Sequence, residues 1–129
     1  MRIVADTNIF LAVALEEGSK ERIVEITKGC DICAPEILFY EIGNALSAMA
    51  KRRQIGAKDV DSIYLAAQKI EVSLIKVDIC KALTIAIEHN IYAYDAYFLQ
   101  VAHSLASPLV TLDESLKKVA RSMKIEVKE

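Results

Sequence analysis

The sequence predicts an α/β fold: an open parallel sheet covered by helices on both faces. Short apolar runs of strand type alternate along the whole chain with longer segments of helical period. Strands separated by helices can pair in parallel through right-handed crossovers, which bury both faces of the sheet. No Pro/Gly-rich linker, repeat or low-complexity tract breaks the order, so one domain spanning residues 1–129 is expected. With 53% hydrophobic side chains and a mean hydropathy of +0.28, such a chain can bury a full core without staples.

The elements follow in order. "RIVAD" reads as a first strand and leads into helical "NIFLAVALEEG". "SKERIVEITKG" is a second helix, with Ser19 placed to cap it and Gly29 to end it. "CDICA" is a short strand, after which Pro35 opens a long helix, "PEILFYEIGNALSAMAKRRQ", at the one helical position where a missing N–H is harmless. Beyond Gly56, "AKDVDSIYLAAQK" is helical and "VSLIKV" is a third strand. Asp78, with Lys81 three residues on, caps "DICKALTIAIEHN", which Asn90 closes. The helix "YDAYFLQVAHSLAS" precedes a fourth strand, "LVTL", then the helix "DESLKKVARSM" and a last short strand, "IEV", giving a sheet of roughly five strands.

Bulk properties exclude several classes. Apolar runs such as "IFLAVAL" are broken by acids well short of the roughly 20 residues that span a bilayer. "MRIVAD" brings a charge at the sixth residue, where a signal peptide would stay apolar. Three cysteines are an odd count that suits a reducing compartment, so a cytoplasmic protein is expected. Cys30 and Cys33 form C-x-x-C within a strand pattern rather than at a helix start, which points to packing thiols. Zinc would need further ligands from Cys80, His89 and His103, whose spacing is not paired. The net charge of −2 announces no polyanion partner, although metal bound to several acids would reverse that balance.

Four acids stand out. Asp95 lies in helical register with Phe98, Leu99, Ala102, Leu105 and Ala106, so it falls on the apolar stripe with no Lys or Arg three or four residues away. Burying a charge without a partner costs several kcal/mol or more, on the order of magnitude set by ion desolvation. Glu41 and Asn44 sit on the shoulder of the stripe Leu38, Ile42, Ala45, Leu46 and Met49, again without a basic partner. Asp6 directly follows the first strand and Asp113 the fourth, where an open parallel sheet gathers its ligands. Thr111 shares a side with Asp113 by the strand period. Singly, each aspartate is explained as an N-cap or as a partner of a helix N-terminus, while Glu41 lies inside its helix. Jointly they would repel one another unless a hard cation such as Mg²⁺ or Mn²⁺ sat among them.

"VADTNIFLAV", "PEILFYEIGNAL", "AYDAYFLQVA" and "LVTLDESL" resemble, in order, the successive motifs of PIN-domain nucleases, most closely the VapC-type toxins. The likeness runs from about Ile3 to Val119. It implies a three-layer α/β/α sandwich and a metal-dependent endoribonuclease that hydrolyses RNA with Mg²⁺ or Mn²⁺. By resemblance, Asp6, Glu41, Asp95 and Asp113 are the catalytic and metal-binding acids. Thr7, Asn8, Asn44 and Thr111 match the supporting polar positions. A homodimer, an RNA substrate and a VapB-type antitoxin are the implied partners, with no membrane. The implied chemistry is in-line attack of a metal-activated water on phosphorus. The apolar surface of helix 36–53 extends beyond one stripe, so the helix is either deep in the core or part of a subunit contact.

Other features keep two readings. "KRRQ" at Lys51 to Gln54, and Lys117, Lys118 and Arg121, could touch phosphates or be solvated cations complementing helix ends. Tyr92, Tyr94 and Tyr97 could stack on bases, although packing is the commoner use of such residues. His89 and His103 match no motif and read as surface or structural residues. The competing functions are a non-catalytic PIN-like module binding RNA or protein and a housekeeping RNA-processing nuclease. A phospho-receiver would need paired acids after the first strand, where this chain has "DTN", and would leave Glu41 and Asp95 unexplained.

Overall fold

The computed structural model describes residues 1–129. Four strands, β1 (Arg2–Ala5), β2 (Asp31–Pro35), β3 (Ser73–Ile75) and β4 (Leu109–Val110), form one parallel sheet in the order β3-β2-β1-β4. Seven α-helices flank it: α1 (Thr7–Ala14), α2 (Lys20–Thr27), α3 (Leu38–Lys51), α4 (Val60–Gln68), α5 (Ile79–His89), α6 (Ala93–Ser104) and α7 (Glu114–Ser122).

The strand order explains the layering. From β1 through β2 to β3 the chain steps outward in one direction, and it then returns past β1 to add β4 on the far side. Right-handed crossovers therefore put the helices before β3 on one face and those between β3 and β4 on the other. Packing agrees: α1, α3 and α4 contact one another, whereas α5 lies along α6, which itself touches β1, β2 and β4. The direction of winding reverses between β1 and β4, which is the place where an open α/β sheet leaves a crevice at its carboxyl edge.

Ile3, Val4, Ala34, Leu38, Ile42, Leu46, Phe98, Leu99 and Leu109 are wholly or almost wholly buried in one core cluster. The central strand β1 is apolar at every position after Arg2, as a strand covered on both faces requires. The edge strand β3 is more exposed, and its ladder is three residues long against six expected from "VSLIKV".

Several boundaries differ from expectation for identifiable reasons. The fifth strand is reduced to one bridge, Leu109 to Val127, because β4 is two residues long. Pro35 ends β2 instead of opening α3, since its φ suits an extended chain and the next N–H, of Glu36, bonds Ile75 O at 3.0 Å. Glu41 consequently lies in the first turn of α3, not in its interior. Ser19 makes no side-chain cap bond and adopts a helical backbone. Asp78 does cap α5 through Lys81 N–H, and Asn90 closes it in the left-handed conformation at φ 51°. Cys33 is buried in β2, Cys30 is half-buried, Cys80 is exposed, and all three thiols are free. No helix is long and apolar enough to cross a membrane.

Candidate metal centre

Asp6 stands at the switch between β1 and β4. Its backbone N–H bonds Val110 O at 2.9 Å, which carries the chain into the crevice just as β1 ends. The residue is 7% exposed and its side chain caps α1, with Oδ1 accepting from Thr7 N–H at 2.8 Å. Oδ2 accepts from the Thr111 hydroxyl at 2.8 Å and from the Asn8 amide at 3.2 Å. Thr111 Oγ1 in turn accepts from Asn8 Nδ2 at 3.3 Å and from Asp113 N–H at 3.1 Å. Asn8 Oδ1 accepts from Leu112 N–H at 3.2 Å. This network ties residues about a hundred positions apart, and it leaves the Thr111 proton only one direction, toward Asp6.

Glu41 faces the crevice from the start of α3, where Oε2 accepts a long bond of 3.5 Å from Thr7 Oγ1. Its other oxygen, Oε1, is buried and has no hydrogen-bond partner. A buried acceptor left unmade costs about 1–3 kcal/mol, more when charged, so it normally finds a donor. Asp95 enters half-buried from the first turn of α6. Asp113 caps α7, its Oδ1 accepting from Ser115 Oγ at 2.7 Å, Ser115 N–H at 2.9 Å and Leu116 N–H at 3.3 Å.

The electrostatics join the four acids into one site. Burial, and then the neighbouring carboxylates Asp95 and Asp113, push Asp6 up to about 6 against the lowering bonds from Thr111 and Thr7. Burial, then Asp6 and Asp95, push Glu41 up to about 7. Asp95 is raised by burial and by Asp113. Asp113 alone is held below the usual carboxylate range, chiefly by the Ser115 hydroxyl. None of the molecule's five ion pairs involves these acids. Asp6 and Asp113 each cap a helix and are also electrostatically coupled to the other acids, so capping does not take either out of the candidate site.

The donor set fits a hard dication. All four groups offer carboxylate oxygen, one oxygen is buried without a donor, and three acids gain from any cation placed among them. No three of the carboxylates are drawn together tightly enough to ligate one ion directly. An ion such as Mg²⁺, which keeps several of its waters, suits that spacing better than a dehydrated cage.

Of the supporting residues, Thr7, Asn8 and Thr111 belong to the network, whereas Asn44 is exposed beside Glu41 and bonds none of the acids. Lys117 and Arg121 are already engaged, Lys117 Nζ with Glu129 at 2.9 Å and Glu114 at 3.1 Å, and Arg121 with Glu129. The residues Lys51 to Gln54 are exposed, as is His103, and His89 is half-buried. Sequence reasoning missed Ser115, whose hydroxyl holds Asp113, and Tyr40, which is 77% exposed at the rim of the site. The D-x-S spacing of Asp113 and Ser115 was the available signal for the first.

The PIN domain family model matches residues 3–122. VapC ribonuclease Mb0985 of Mycobacterium bovis and Ribonuclease VapC9 of Mycobacterium tuberculosis are each 26% identical over 120 residues, covering 93% of this chain and 92% of theirs. Among solved structures, PAE2754 from Pyrobaculum aerophilum superposes with a TM-score of 0.71 at 21% identity, over 92% of this chain and 79% of that one. VapBC2 from Rickettsia felis, bound to a DNA fragment from their promoter, superposes at 0.66 and 16% identity, over 99% of this chain and 98% of that one. The parallel sheet, the acid-lined crevice and the near full-length family match together make this chain a member of the PIN domain family.

Proposed function

We propose that the chain is a divalent-metal-dependent endoribonuclease that hydrolyses RNA phosphodiester bonds, and the toxin of a VapBC-type pair. The ribonuclease names of its full-length relatives support the substrate class, and the VapBC neighbour supports an antitoxin partner of VapB type. Glu41 Oε1, buried and without a donor among four acids that make no ion pair with a lysine or arginine, is the observation that carries metal dependence.

Asp6, Glu41, Asp95 and Asp113 would hold Mg²⁺ or Mn²⁺, which when bound supplies an activated water and charge stabilisation at the leaving oxygen. Thr111 and Asn8 fix the rotamer of Asp6 by donating to Oδ2, so its carboxylate meets an ion already oriented. Thr7 donates a long bond to one oxygen of Glu41 and leaves the other buried and without a donor. Asp113, with every bond on Oδ1, keeps Oδ2 free for a water or an ion. The whole chain acts as one nuclease domain in the cytoplasm, where its free thiols stay reduced. A homodimer belongs to this reading: α3 packs its apolar stripe inward, but Ile79, Leu83 and Ile87 of α5 form an exposed apolar row.

The test is cleavage of single-stranded and structured RNA by purified protein in Mn²⁺ or Mg²⁺, beside a chelator control and a folded Asp95→Asn variant. The expected result is cleavage that both controls abolish. No cleavage together with no divalent-ion binding by calorimetry would overturn the proposal.

A further inference from the structure

The crevice opens on one side into a cleft of about 330 Å³ lined by Thr7, Ile37, Tyr40, Glu41, Asn44 and Tyr94. That volume falls in the range of small-ligand pockets, about 300–1,000 Å³. Two lining residues are aromatic and unusually free for rings that would serve packing: Tyr40 is 77% exposed and Tyr94 56%. Tyr94 is nevertheless held, its ring edge-on to Tyr97 at a centroid distance of 5.8 Å. Asn44, one helical turn beyond Glu41, is exposed, and Ser47 Oγ bonds its backbone carbonyl rather than its amide.

No Lys or Arg lines the cleft, so it is unsuited to a phosphate. Flat π-surfaces beside a free amide suit a group that has a face to stack and a donor–acceptor edge to read. Unpaired RNA bases are recognised in this way, by aromatic stacking and by hydrogen bonds to their edges. We propose that the cleft is a nucleobase site: it takes one unpaired base flanking the scissile phosphate, stacked on Tyr40 and Tyr94, with the Asn44 amide on its edge. The inference rests on the endoribonuclease reading and deepens it, because it makes the substrate single-stranded at the cut and assigns base preference to three residues.

The experiment is cleavage of a random-sequence single-stranded RNA pool in Mn²⁺, with sequencing of the fragment ends. Binding of a short labelled RNA in chelator is measured alongside, and thermal unfolding confirms that each variant folds. The native protein should show a base bias at one position beside the cut. Tyr40→Ala, Tyr94→Ala and Asn44→Ala should flatten the bias at that position alone. Each ring removal should weaken RNA binding about tenfold, the scale of one lost base stack. Tyr40→Phe and Tyr94→Phe, which keep the rings, should keep the bias. A bias and affinity unchanged in all three truncations would overturn the base site while leaving the nuclease intact. Unchanged cleavage with lost binding of the cognate antitoxin would make the cleft a protein contact and also overturn it. A native protein that neither cleaves nor binds RNA would remove both this inference and the function on which it rests.

Discussion

Replacing Glu41 by Gln should stabilise the metal-free protein while abolishing its response to metal. Burial and the neighbouring acids lift Glu41 from 4.5 to about 7. The folded state therefore binds this proton more tightly than the unfolded state does. The contribution to stability is fully present below about pH 4.5 and is lost as the pH rises through about 7. At full value the difference would be about 3 kcal/mol at pH 8; screening of a half-buried group reduces it to roughly 1–2 kcal/mol. Gln is isosteric with the protonated acid, and its oxygen can keep the bond from Thr7. In chelator, urea unfolding should show Glu41→Gln more stable by roughly 1–2 kcal/mol at pH 8, or about 3–8 °C in Tm. The gain should shrink towards zero near pH 4.5. Millimolar Mg²⁺ should raise the Tm of the native protein by mass action and leave the variant unmoved. A variant no more stable than the native protein at pH 8, or a gain independent of pH, would refute the idea that an unneutralised buried carboxylate sits here.

Thr111→Val removes the hydroxyl that orients Asp6, and should lower metal affinity or activity about 10- to 100-fold with the fold retained, read by calorimetry and RNA cleavage. Because Asp6 titrates at about 6 and Glu41 at about 7, metal binding must displace protons. Apparent affinity should rise from pH 5.5 to 8, and the binding heat should depend on the buffer's ionisation enthalpy; identical heats in two buffers at pH 6.5 would contradict this. Leu46→Ala, at a fully buried position of α3, should cost about 2–5 kcal/mol in denaturant unfolding without altering metal stoichiometry in the surviving fold.

Much of the candidate site is legible in the sequence because its anomaly is local. An acid on an apolar stripe with no cation one turn away is visible in the spacing around Asp95, and it proved half-buried and electrostatically coupled to the other acids. The placing of Asp6 and Asp113 after strands was equally legible, since strand ends follow from the apolar runs themselves. Glu41 is less legible: a helix opening at Pro35 would make it interior, but that proline belongs to β2 and Glu41 lies in the first turn of α3. Glu41 is distinguished by its orphaned oxygen, a property that no one-dimensional pattern carries. Lys117 illustrates the same limit, because its partner Glu129 is twelve residues away and its availability for RNA could not be read from α7 alone.

By itself, then, the sequence determined the class of fold, the order of its elements, the ordered motifs of the family and the four candidate acids, of which Glu41 and Asp95 have no basic residue one helical turn away. Periodicity and capping act within a few residues, and the chain is consistent at that scale. The tertiary structure alone decided that β1 and β4 are neighbours, which brings Thr111 onto Asp6 and closes the network through Asn8. It also decided how far Asp6 and Glu41 are lifted and which tyrosines face solvent. These depend on desolvation and on four carboxylates that converge from the end of β1, α3, α6 and the start of α7, and convergence is fixed by crossover handedness and helix packing, not by neighbours along the chain.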